Sequence, residues 1–365
     1  MLEHLTQILI EFFWLNFFWA TIFFFMLYFL ITKVWFNNQN MILKSKYYKG
    51  KQRVHEGEIP RLGGIIIFLF LLIFSIVLND KNLSRELQIN LLCLLPMMLV
   101  TIKEDLVHNV DVRQRLLGLL LSATIMIMFS TNNLPVVDHI IVISDLFHNP
   151  VFSITFFTLC LISLANGCNF IDGMNGLLSF YLLGALMSCM HLSFLTQDTF
   201  IGKPILLYAF MIILFLMVNY PWGKIFMGDT GAYLMALLVG VWVIDFFGNH
   251  ESISSWNAGL IFFYPIAEVV FSFFRKLYQK KSPFQPDREH LHLKVFDILN
   301  TAMNKPKLAN NLTTVFLAIF WLAPPLILPW VYDSQLMIVI ALVILSFVYI
   351  SLNHVIPART QYHHE

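Results

Sequence analysis

The chain has 365 residues, 58% of them hydrophobic and 12% charged, with a mean hydropathy of +0.73 and a formal net charge of +1. Soluble domains run at roughly 45–50% apolar and about 25% charged residues, so a water-soluble globular protein is excluded and lipid becomes the solvent for most of this chain. No nucleic-acid partner is expected of so few charges; the bilayer is the first partner.

Apolar stretches of about 20 residues, enough to cross a roughly 30 Å hydrocarbon core, recur from end to end. Hydropathy places helices near 9–32, 62–79, 87–104, 115–131, 151–166, 177–195, 204–219, 231–247, 258–278, 311–330 and 336–354. These spans, about eleven, describe an all-α, polytopic membrane protein with a single membrane-embedded domain over 1–365. The first stretch lacks the charged start and small-residue cleavage site of a signal peptide and is too long for one, so it reads as a mature helix. With the N-terminus periplasmic, 20 of the 23 Lys and Arg residues fall in the inner connections, leaving Lys81, Arg85 and Lys203 outside. The positive-inside rule then puts the C-terminus in the cytoplasm. Cys93, Cys160, Cys168 and Cys189 have no metal-type spacing and read as small hydrophobes. Among the outer connections, Val136–Ser144 is β-branched enough for a short interfacial strand pair.

The inner connections, between about 44 and 295, hold dense polar clusters. In the first, Arg53, His55 and Arg61 precede Gly63-Gly64, a mouth where glycines let backbone approach a ligand and cations could hold a phosphate. A polybasic anchor on anionic headgroups is the simpler reading of the lysines there. The second cluster is Glu104-Asp105, followed by Asp111, Arg113 and Arg115; adjacent carboxylates at a membrane-helix end repel unless a cation or water intervenes. In the third, Asn166, Asn169 and Asp172 stand at i, i+3 and i+6, on one helical face, and Gly173 and Gly176 let the chain turn. The fourth, Phe226-Met-Gly228-Asp229-Thr230-Gly231, offers one acid between glycines, either a helix N-cap or a ligand for Mg²⁺. The fifth carries Asp287, Arg288, His290 and His292; the two histidines share a side only if the chain is extended there, and no third soft ligand is spaced for Zn²⁺.

In order and on one face, these clusters resemble the polyprenyl-phosphate N-acetylhexosamine-1-phosphate transferase superfamily (glycosyltransferase family 4), over about Arg53 to Leu293. The resemblance leans to the branch that uses UDP-N-acetylglucosamine and undecaprenyl phosphate. It implies a bacterial inner-membrane enzyme with a cytoplasmic active site, using Mg²⁺ (or Mn²⁺), starting an O-antigen, exopolysaccharide or similar glycan, with a homodimer as one assembly. Glu104-Asp105 matches the family's Asp-Asp pair, one methylene longer at its first acid. Asn166, Asn169 and Asp172 match its Asn-x-x-Asn-x-x-Asp-Gly block, and Asp229 matches the Asp of Phe-x-Gly-Asp-x-Gly, which the family uses on Mg²⁺. Catalytic roles are thus implied for Glu104, Asp105, Asp172 and Asp229, metal ligation for Asp229, Asp105 and Asp172. Substrate binding is implied for Arg53, His55, Arg61, Asn166, Asn169, Phe226, Asp287, Arg288, His290 and His292. Asn175 replaces an acid often found there, so it cannot serve as a base, and Asn175→Asp should be tolerated or mildly harmful. Leu293 stands where several members carry another histidine.

The chemistry needs little proton transfer, because a phosphate monoester with a second pKa of about 6 is largely ionised at neutral pH. In-line attack of the lipid phosphate on the sugar-bearing phosphorus is favoured, with a two-step path through Asp172 or Asp105 left open. Glu104 would position the lipid phosphate or take its residual proton. An amide at Asp229 is nearly isosteric and should leave the fold intact. The rivals are a transporter, for which Glu11, Asp245 and above all Glu268 are the intramembrane acids, and a lipid-binding scaffold.

Overall fold

The computed structural model describes residues 2–37, 59–137, 144–196, 199–282 and 287–357, and every regular element among them is helical. The helices are α1 (Leu2–Asn37), α2 (Gly63–Val77), α3 (Lys81–Cys93), α4 (Leu95–Val107), α5 (Val112–Ser130), α6 (Pro150–Ile171), α7 (Leu177–Leu195), α8 (Thr199–Asn219) and α9 (Gly228–Asn249). They continue as α10 (Asn257–Ile261), α11 (Phe263–Tyr278), α12 (Leu291–Met303), α13 (Pro306–Phe316), α14 (Ala318–Val331) and α15 (Gln335–Val355). Residues 138–143 of the expected strand pair lie outside the described residues; Ser144 opens a short 3-10 helix, Ser144–His148.

All eleven apolar stretches are helical, but not all as single spans. Eight helical segments among the described residues are long and apolar enough to cross a membrane, one of them the α13–α14 run. The stretch at 87–104 belongs to α3 and α4, which meet at a 60° bend; Pro96 in the first turn of α4 cannot donate back to α3. The stretch at 62–79 forms only the 15-residue α2, and 258–278 divides at Phe262 into α10 and α11. Local capping sets several boundaries. The Asp80 side chain accepts from the N–H groups of Asn82 and Leu83 at the start of α3, and Asn149 accepts from Val151 and Phe152 ahead of α6.

Helix α9 is the hub. Every residue from Gly228 to Ile244 is buried, and α2, α4, α5 and α6 pack around it. Peripheral helices keep large apolar side chains exposed, among them Phe29 on α1 and Phe347 on α15, as a lipid-facing surface requires. Helix α2 crosses α9 at glycine: a Cβ on Gly64 would lie 2.2 Å from the Gly231 nitrogen. Just before the crossing, Phe226 N donates to Pro60 O at 3.0 Å, Gly63 N to Phe226 O at 2.9 Å and Gly64 N to Met227 O at 2.9 Å. The Gly63-Gly64 pair expected to face a ligand therefore faces the chain itself.

That contact predicts a contrast between two substitutions. Gly64→Ala should destabilise the detergent-solubilised protein by about 1–3 kcal/mol, because backbone atoms have no way to yield. Gly259→Ala, where the nearest atoms are Leu342 methyls at 3.5 and 3.9 Å, should leave the thermal melt unchanged or raise it. Equal melts for the two variants would refute the close crossing.

Candidate active site

The first N–H groups of any α-helix have no partner within it. At the start of α9 those groups are satisfied by carboxylates from two other helices. Asp229 N and Thr230 N donate to Oδ1 and Oδ2 of Asp105, at 3.0 and 2.9 Å, and Gly228 N donates to Asp172 Oδ2 at 3.0 Å. Asp229, the sequence candidate for an N-cap, does not cap this helix; its own carboxylate is gripped by two guanidiniums. Arg61 Nη2 lies 2.5 Å from Asp229 Oδ1, Arg115 Nη1 lies 2.6 Å from Oδ2, and Arg61 Nε is 3.4 Å from Asp105 Oδ1. Gly228 is required here, since its φ is +73° and a Cβ would fall 2.7 Å from an Asp105 oxygen.

The three acids named from the sequence thus meet, although Asp105 and Asp229 are 124 residues apart. Burial pushes the Asp172 carboxyl well above its ordinary range, and Arg61 pulls it back only in part. Burial would lower the Arg61 guanidinium, but Asp229, Asp105 and Asp172 outweigh it and hold the charge firmly. The donor set fits Mg²⁺ by its chemistry. The acidic groups Asp105, Asp172 and Asp229 all offer hard oxygens, the donor type that magnesium prefers. No group of three or more His, Cys, Asp or Glu among the described residues forms a ready metal cage. Magnesium commonly completes its shell with water and substrate phosphates instead.

Other candidates lie at different depths from this centre. Asn166 and Asn169 share a helical face, as their spacing required, and both approach the Tyr233 hydroxyl, at 3.4 and 3.5 Å, one turn beyond Asp229. Glu104 parts from Asp105: its Oε2 accepts from Val110 N at 2.9 Å and ties down the turn leading to Arg115. Phe226 is half-buried and serves through its backbone in the lacing with Pro60 and Gly63. Arg53 and His55 lie outside the described residues.

The fifth cluster forms a second layer. Arg275 holds Asp287 with Nη2 3.0 and 2.8 Å from its two oxygens, Arg288 pairs with Asp297 at 2.7 Å, and His290 Nδ1 lies 2.9 Å from Glu268 Oε2. The chain is extended at His290 (φ −69°, ψ 143°), so His290 and His292 do share a side, their rings nearly parallel with centroids 5.7 Å apart. A Cβ on Gly173 would lie 3.4 Å from His292 Nε2, which places this layer beside Asp172. Burial lowers His292, and the Glu268 carboxylate offsets only part of that.

Sequence reasoning gave no role to Arg115, Tyr233 or Arg275, and gave Glu268 only to the transporter reading. Arg115 shares the inner connection of Asp105, and Tyr233 stands four residues after Asp229, so spacing carried a signal for both. Two acids of the transporter reading have structural partners: Glu268 holds His290, and Asp245 accepts from Asn132 N at 2.6 Å; the Glu11 side chain lies outside the described residues.

These features define a polytopic α-helical membrane protein whose polar centre sits where several helices begin or end, carboxylates and guanidiniums interleaved. The glycosyl transferase family 4 model matches residues 87–247, which include Asp105, Arg115, Asp172 and Asp229. The undecaprenyl-phosphate alpha-N-acetylglucosaminyl 1-phosphate transferase of Thermotoga maritima is 31% identical over 242 residues, 66% of this chain and 69% of that enzyme. The Salmonella typhi enzyme of the same name is 28% identical over 248 residues, 65% of each chain. The decaprenyl-phosphate N-acetylglucosaminephosphotransferase of Mycobacterium tuberculosis is 28% identical over 159 residues, 38% of this chain and 39% of the relative. The first two matches span about two thirds of those enzymes. The chain belongs to glycosyl transferase family 4.

Asn175 holds the turn that follows Asp172. It is buried, and its Nδ2 donates to Asn311 Oδ1 at 2.9 Å and Pro221 O at 3.3 Å, while its backbone holds Asn310 and Thr314 of α13. Asn175→Asp would set carboxylate oxygens against those acceptors and should cost about 1–3 kcal/mol. A thermal melt as high as wild type would show that the turn does not depend on this amide.

Proposed function

We propose that this protein transfers an N-acetylhexosamine 1-phosphate from a UDP-sugar to a polyprenyl phosphate, releasing UMP. The observation that carries this reading is the convergence of Asp105 and Asp172 on the N-terminus of the helix bearing Asp229, with Arg61 and Arg115 closing on Asp229. The relatives' names support N-acetylglucosamine as the sugar and undecaprenyl phosphate as the acceptor. We place the protein in a bacterial inner membrane as one domain of eleven spans, N-terminus periplasmic and C-terminus cytoplasmic, on the 20 to 3 division of basic residues. The lipid-linked sugar would start a surface glycan such as O-antigen or exopolysaccharide.

In the step we favour, an ionised oxygen of the lipid phosphate attacks the sugar-bearing phosphorus in line. The new P–O bond forms as the bridging P–O bond to UMP breaks, and UMP leaves with the bonding pair. Repulsion between the two anions is the obstacle, and Arg61 and Arg115 supply fixed positive charge against it. Asp105, Asp172 and Asp229 would hold Mg²⁺ or Mn²⁺, which when bound neutralises phosphate oxygens and the charge developing on UMP. Arg288, His290 and His292 serve the donor phosphates, and Asn166 and Asn169 orient polar groups beside them. Glu104 acts through the 108–111 turn that precedes Arg115, a revision of the proton-accepting role.

Incubation of purified protein with undecaprenyl phosphate and a panel of UDP-sugars, following UMP and the mass of the lipid product, tests the reaction. Excess chelator should abolish UMP release and Mg²⁺ restore it; transfer that persists in chelator excludes the metal. Asp229→Asn should lower turnover at least about 10²-fold. The same substitution strips the shared partner from two guanidiniums at a site only 3% exposed, so the melt should fall as well, by several degrees or more. Orientation has its own check: a cytoplasm-only reporter fused after Glu365 should be active and one inserted near Asn133 silent.

A further inference from the structure

Glu268 lies on α11, 1% exposed, and its two carboxylate oxygens accept from two different donors. Oε2 takes the His290 ring through Nδ1 at 2.9 Å, and Oε1 takes Leu291 N at 3.2 Å, the backbone N–H that opens α12. His292 Nδ1 lies 3.8 Å from the same Oε1, beyond hydrogen-bond reach, and has no hydrogen-bond partner among the described residues. The Phe170 ring, two residues before Asp172, packs on His290 at 4.8 Å between centroids, and His292 lies parallel to His290. One carboxylate therefore sets both the chain direction at the start of α12 and the rotation of His290. With Nδ1 committed to Glu268, the nitrogen of His290 left to the site is Nε2, 3.9 Å from Asp287 Oδ1. Nε2 of His292 faces Gly173.

We propose that Glu268 is a positioning residue for the donor diphosphate: it holds His290, and through the stacked rings His292, with both Nε2 atoms turned toward the site. This rests on the reading of the protein as a UDP-sugar transferase. An ion-dipole bond at a buried carboxylate is short and directional, so it fixes an imidazole that packing alone would let rotate. Only a carboxylate meets the geometry. A glutamine offers one acceptor for two donors, and its NH₂ would face either the ring N–H or Leu291 N.

The test uses the full-length protein in lipid nanodiscs with UDP-N-acetylglucosamine and undecaprenyl phosphate. Glu268→Gln should raise the KM for the UDP-sugar about tenfold, the loss of one charge-assisted hydrogen bond, while the KM for the lipid stays within twofold. Because Glu268 acts through His290, the double variant Glu268→Gln/His290→Gln should be no worse than His290→Gln alone. A general structural role would instead add the two losses, or raise both KM values together, and either result overturns the proposal. Side-chain ¹⁵N spectra of labelled histidine give a readout that needs no turnover: Glu268→Gln should move the His290 ring resonances, and unmoved resonances overturn the positioning role. If wild type releases no UMP from any UDP-sugar, the functional reading fails by itself, and the spectra still decide whether Glu268 holds His290.

Discussion

The structure depends on how the N-terminus of α9 is satisfied. A buried helix end with unpaired N–H groups would cost several kcal/mol, and here Asp105 from α4 and the Asp172 turn after α6 meet that need. The same contacts explain why three acids can be gathered in so small a volume. Each carboxylate is drawn toward the positive end of a helix dipole, and the charge left over is answered by Arg61 and Arg115. Capping and charge assembly are one interaction seen from two sides.

Small residues make that arrangement reachable. Gly228 takes a left-handed conformation that brings the helix end onto the Asp105 carboxylate, and Gly64 lets α2 lie directly on Gly231. The crossing delivers Arg61, three residues before Gly64, to Asp229 and Asp105. Rigid placement matters for a reaction between two anions, where the protein's contribution is fixed charge and orientation more than proton transfer. The second layer, from Glu268 to His292, adds groups that meet the turn carrying Asp172 from the side of α11 and α12.

Adjacent residues in these clusters have divergent fates. Glu104 and Asp105 look like a pair in sequence, yet one accepts from Val110 N in its own turn and the other reaches another helix. Their Cα–Cβ bonds leave the helix about 100° apart, since a helix turns 3.6 residues per revolution, so neighbours rarely face the same ligand. Asn166 and Asn169, three apart, do share a face and converge on Tyr233. Asn175 sits amid chemical motifs and is spent on holding the turn to α13.

What the sequence determined by itself was the solvent, the helical class, the apolar segments and the order of the polar clusters. These follow from hydropathy and helical spacing, properties of a residue and its near neighbours. The meeting of Asp105, Asp172 and Asp229 was legible only through resemblance to a family. Which oxygen of Asp229 takes Arg61 and which takes Arg115, why Gly228 has to be glycine, and why Glu268 belongs to the histidines were decided by tertiary structure alone. Those contacts join residues 22 to 168 positions apart, and burial makes an unpaired carboxylate among them costly. Pairing of that kind is settled by which helix ends the packed bundle brings together, a fact no local pattern in the chain encodes.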